Sequence, residues 1–165
     1  MSIKPPSYTL SLDDFLRSIE LQIRDLTIEI GVAVSLSKEI LLVKQGEVSR
    51  ISFSEKEKTK IKNSIFTHNH PSNFPHSKAD LSAAYEYNLV EIRVVTNEKI
   101  YVVKPTQTEW KSFVEVERLY NLRINNIISD YHNGYISEEE ALYRRQHIGL
   151  YIAEELGYEI KIIEL

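Results

Sequence analysis

Apolar positions along the chain recur with two different periods, and the changes between them lay out a series of helices and strands. Residues 1–10 form a lead-in that Pro5-Pro6 keeps extended. Ser11, with Asp14 three positions on, then opens a helix of about fourteen residues. Leu12, Phe15, Ile19, Leu21, Ile23 and Leu26 give it a loosely helical apolar face. Over 26–35 the period falls to two: Leu26, Ile28, Ile30, Val32 and Val34 share one face of a strand, and Thr27, Glu29, Gly31 and Ala33 the other. Short strands are expected near 39–43 and 48–53, about a turn at Gln45-Gly46-Glu47. Residues 54–63 are a polar helix or solvated loop, and 64–68 a short strand.

Ser77 begins a helix to about residue 88, and strands 89–96 and 99–104 form a hairpin around Asn97-Glu98. A helix over about 106–131 carries Trp110, Phe113, Val114, Tyr120, Ile124, Ile127 and Tyr131 and ends at His132-Asn133-Gly134. Ser137, paired with Glu140, caps a last helix to about residue 156, before a strand over 158–163. This order predicts an α/β fold, a mixed sheet flanked by helices. Residues 1–105 form its core, and 106–165 a C-terminal helical extension and final strand packed on the same domain.

Composition narrows the chemistry. Of 165 residues, 42% are hydrophobic and 27% charged, enough to fill a core. The net charge of -4 argues against a nucleic-acid partner, which favours a basic surplus. The one basic run, Lys56, Lys58, Lys60 and Lys62, alternates with Glu55 and Glu57 and reads as solvated. With no cysteine, any metal must be held by His and carboxylate alone. No signal-peptide h-region or membrane-spanning run is present, so the expected location is cytoplasmic.

The informative segment is Thr67-His68-Asn69-His70-Pro71-Ser72-Asn73-Phe74-Pro75-His76-Ser77-Lys78-Ala79-Asp80. Residues two apart on an extended chain point to the same side, so His68 and His70 can reach one ion. Pro71 biases His70 away from helix. Asp80 enters from the first turn of the next helix. Two imidazoles and a carboxylate make an open three-ligand zinc site with a fourth position for water. The proton shuttle such a site needs is best supplied by Glu29, the only acid in the most apolar strand, with small same-face neighbours. Glu39 and Glu47 are weaker candidates. His76 is an alternative ligand, a substrate contact or a solvated loop residue.

His68-Asn69-His70-Pro71-Ser72 followed by Ser77-Lys78-Ala79-Asp80 resembles the signature of the JAMM (MPN-plus, JAB-like) zinc metallopeptidases. That signature is an upstream strand Glu, then His-x-His, then Ser-x-x-Asp at a helix start. Asn between the histidines and Pro-Ser after them is similar to the bacterial RadC-type branch, and to related modules at the ends of phage head-morphogenesis proteins. The resemblance is strongest over 64–104, reaches back to about residue 26 and fades across the C-terminal helices. It implies a cytidine deaminase-like fold, with zinc (Zn2+) on His68, His70 and Asp80, and Glu29 as general base and then acid. Ser77 would help stabilise the oxyanion. The implied reaction is hydrolysis of an amide or isopeptide bond in a peptide or ubiquitin-like protein substrate. Two departures stand out: the His70-to-Ser77 gap is one residue shorter than the usual pattern, and Asn73 replaces a common glycine.

Two other readings compete. One is a non-catalytic binding module that has kept the fold; the other is a metal-dependent nuclease or toxin-like effector, against which the acidic balance argues. The Trp110–Tyr131 stripe is core or partner interface, and if one neighbour cannot bury it a homodimer follows.

Overall fold

The computed structural model describes residues 3–47 and 51–165. Its centre is a mixed six-stranded sheet: β1 (Ile30–Val34), β2 (Ile40–Gln45), β3 (Ile65–Asn69), β4 (Glu91–Val95), β5 (Lys99–Lys104) and β6 (Glu159–Glu164). The strands lie in the order β2-β1-β3-β4-β5-β6. All neighbouring pairs are antiparallel except β3–β4, which is parallel. A parallel pair needs a crossover, and the segment between β3 and β4 is the one that carries the motif.

The sheet is buried on both faces. Helix α1 (Leu12–Ile23) covers one, packing Phe15, Leu16, Ile19 and Ile23 against Ile30, Val32, Val34, Ile65, Val95 and Val102. The other face carries Ala33, Phe66, Ile92 and Val103. It is covered by α2 (Glu55–Ile61), α3 (Lys78–Glu86), α4 (Phe113–His132) and α6 (Ile148–Glu155), with α5 (Glu138–Gln146) leading into α6. The alternation predicted for 30–34 is therefore real, but both sides are buried, as expected of an inner strand between helical layers. The Ser11–Asp14 cap forms as expected: the Ser11 hydroxyl accepts from the Asp14 amide at 3.1 Å.

Several boundaries differ from the sequence reading. The strand expected over 26–35 is regular only from Ile30. Of the strand expected over 48–53, residues 48–50 lie outside the described residues and 51–53 are not strand. The helix expected from about 106 begins at Phe113. Pro105 is extended and Gln107 takes a positive φ, so a single 3-10 turn forms at Thr106–Thr108. Trp110 thus sits in the connection before α4, where its indole N–H donates to the Leu89 carbonyl at 2.6 Å. The stripe divides accordingly: Trp110 and Ile127 are buried, while Phe113, Val114 and Tyr131 are exposed. The helix expected over 137–156 is broken at His147, which ends α5 and begins α6. The final strand joins the sheet, where β6 pairs with β5 along its whole length.

Among the described residues, no helix is long and apolar enough to cross a membrane.

Candidate metal centre

Three elements converge at the motif. Within β3, His68 lies opposite Gly31 of β1 and Val94 of β4. His70 follows the strand end, and its amide donates to the Val95 carbonyl at 2.9 Å. Asp80 stands in the first turn of α3. Among the described residues, His68, His70 and Asp80 are the group of His, Cys and acidic side chains that could hold a metal ion. The two Nε2 atoms lie 3.0 Å apart. Asp80 Oδ1 is 3.1 Å from His68 Nε2, and Oδ2 is 3.6 Å from His70 Nε2.

Hydrogen bonds orient two of the three. His70 Nδ1 lies 2.9 Å from the Phe74 carbonyl, which accepts only if the proton is on Nδ1. That tautomer leaves a lone pair on Nε2, facing the site. Asp80 takes part in a complete capping box: its Oδ2 accepts from the Ser77 amide at 2.6 Å and from the Ser77 hydroxyl at 2.8 Å. Capping and facing the histidines are thus compatible. The Ser77 hydroxyl proton is committed to Asp80, so in this arrangement Ser77 orients the carboxylate. His68 Nδ1 is buried without a hydrogen-bond partner among the described residues.

The departure at Asn73 has a local explanation. Asn73 sits at φ 61°, a left-handed conformation that Asn tolerates better than most residues. Its side chain accepts from the Asn97 amide at 2.9 Å, tying the loop to the β4–β5 turn. His76 is not a solvated loop residue. It is fully buried, and its Nε2–H donates to the Ile92 carbonyl at 3.0 Å. Burial pushes its pKa down to about 3, so the ring is neutral.

A cavity of about 440 Å³ opens beside these residues and includes Glu29 in its wall. Glu29 precedes β1, and its backbone is held by Glu47 and Gly46: its amide donates to the Glu47 carbonyl at 3.1 Å, and its carbonyl accepts from the Gly46 amide at 2.9 Å. Its side chain is buried, and that burial raises its pKa to about 7. His70 opposes the rise and Asp80 adds to it. Burial works against ionised Asp80 as well, but the charges of His68 and His70 and the contact with His68 outweigh it and hold Asp80 below the ordinary carboxylate range. The two acids therefore have separated affinities for protons, one fixed as an anion and one poised near neutrality. Glu39 and Glu47 are exposed and line no part of this cavity.

The small neighbour Gly31 does not leave open space beside Glu29. Gly31 is small because a Cβ there would come within 2.4 Å of the Phe66 ring, which fills the space.

The sequence reading missed the cavity's far wall, to which Tyr120, Arg145, Gln146 and Ile148 of the C-terminal helices contribute. Gly149 explains how α6 comes so near: a Cβ there would stand 1.8 Å from the His76 carbonyl oxygen. A glycine inside an otherwise helical pattern was the available signal.

Compared with models of protein families, with curated proteins and with solved structures, the chain matches none.

Proposed function

We propose that this chain is a zinc-dependent metallopeptidase or isopeptidase of the JAMM type that its motif resembles. The observation that carries the reading is the convergence of two imidazole Nε2 atoms and a carboxylate beside a second, protonatable carboxylate in one cavity. Tetrahedral zinc with bonds of roughly 2.0–2.1 Å has ligand–ligand edges of about 3.3 Å. Separations of 3.0, 3.1 and 3.6 Å suit that ion. When bound, zinc polarises a carbonyl and lowers the pKa of water.

The residues then have distinct tasks. His68, His70 and Asp80 hold the ion. Ser77 keeps the Asp80 carboxylate turned toward the histidines. Glu29 takes a proton from the attacking water and returns it to the leaving amine; its burial, which favours the protonated form, suits a group that must do both. The cavity walls from α3, α4, α5 and α6 orient the substrate.

Elemental analysis of the purified protein tests the site. We expect about one zinc per chain, by the open-site stoichiometry, and its loss in His70→Ala. Against peptide and isopeptide substrates, Glu29→Gln should retain zinc and lose roughly 10²–10⁴-fold in rate. A chain that binds no zinc after zinc is supplied sinks the reading. A chain that binds zinc and hydrolyses none of these substrates favours the non-catalytic binding module.

A further inference from the structure

Asn69, between the two histidines, is fully buried. Strand alternation turns its side chain away from the face that bears His68 and His70. All three of its side-chain hydrogen bonds reach one short segment, residues 26–30. Its Oδ1 accepts from the Ile30 amide at 2.7 Å, and its Nδ2 donates to the Leu26 and Ile28 carbonyls at 3.1 and 3.0 Å. Those partners bracket Glu29.

The main-chain register of β1 with β3 ends at Gly31 opposite His68. Where the next main-chain pairing would fall, the Asn69 amide spans the strands instead. The segment before β1 is thus held to the metal-bearing strand through a side chain, at a spacing the amide fixes. On its other edge, Glu29 itself is pinned by Gly46 and Glu47. With the backbone tied on both sides, the point from which the Glu29 side chain reaches toward His70 is fixed. A buried amide with both its donor and acceptor sides satisfied is suited to such a task, because any displacement would leave several polar groups unpaired.

We propose that Asn69 is a positioning residue: it sets where the Glu29 carboxylate stands relative to the ion held by His68 and His70. This rests on the metal-site reading above. It also gives the middle residue of His-Asn-His a task of its own, separate from metal binding.

The test uses Co2+, which accepts the same nitrogen and oxygen ligands and absorbs visible light. The readout is the pH midpoint of the cobalt spectrum in wild type, Glu29→Gln, Asn69→Ala and the double variant. We expect Asn69→Ala to bind cobalt at wild-type stoichiometry and to move the midpoint in the same direction as Glu29→Gln, by about half a pH unit or more. The double variant should match Glu29→Gln alone, because a residue acting through Glu29 has nothing further to change. Amide exchange should quicken at Ile30 and stay slow at Val32. If Asn69→Ala does not fold, Asn69→Thr, with a side chain suited to a strand, replaces it.

A midpoint unmoved by Asn69→Ala, or by Glu29→Gln, overturns the inference, as does an Asn69 effect that persists in full without Glu29. Wild-type protein that takes up no cobalt overturns the metal reading itself, and the positioning role with it.

Discussion

The two faces of β3 bury polar side chains in opposite ways. Toward α1, Thr67 donates to Glu20, and Glu20 is paired with Arg93, which also reaches Glu91. Glu20, Thr67 and Arg93 are all buried, and their charges and hydrogen bonds answer one another. Toward α3 and α6, His68 and His76 each keep a ring nitrogen without a partner among the described residues, and Glu29 is buried with its pKa raised to about 7. Adjacent residues, Thr67 and His68, thus belong to a closed network and an open one. Buried polar groups that serve structure are normally satisfied, while an unsatisfied group marks a place built for something else.

That contrast can be broken most sharply from the closed side. Glu20→Ala leaves a buried guanidinium with Glu91 as its remaining anionic partner and should cost about 3–5 kcal/mol of stability. Replacing both partners, as in Glu20→Met with Arg93→Leu, should restore most of it. Chemical denaturation measures both, and zinc stoichiometry should be unchanged in the double variant. Loss of zinc there would mean that the two faces are coupled.

The open side should respond to pH instead. A carboxyl whose folded pKa is raised makes the protein less stable as pH climbs from its unfolded value through its folded one. For Glu29 in the metal-free protein that window runs from 4.5 to about 7. Glu29→Gln should therefore match wild type near the bottom of the window and exceed it above the top, by on the order of 2–3 kcal/mol. His76, lowered to about 3, has the opposite slope over 3 to 6.5. It is common to both proteins, so the difference between their denaturation curves isolates Glu29. Equal stability throughout would mean that Glu29 is solvated.

A smaller effect is expected where the C-terminal helices meet the site. Gly149→Ala places a methyl group against the His76 backbone, which cannot turn aside as a side chain could. We expect a loss of about 1–3 kcal/mol, together with weaker zinc binding, because His76 leads directly into Ser77 and the Asp80 helix. Thermal melts with and without zinc would separate the two effects. Unchanged zinc affinity would make α6 a bystander to the site.

The sequence by itself determined the local features. Spacing alone put His68 and His70 on one side of an extended segment, made Ser77 and Asp80 a helix start, and marked the β4–β5 hairpin, because periodicity and capping depend on near neighbours. It also singled out Glu29 from strand position. Only the tertiary structure decided that Glu29 faces the histidines' cavity, that His76 is buried and that Asn69 holds the segment bearing Glu29. It alone brought Gly149 against His76, made Trp110 part of a connection, and joined β6 to the sheet. Each of these depends on contacts between residues far apart in the chain, where burial and desolvation are set by the packed elements and no local pattern records them.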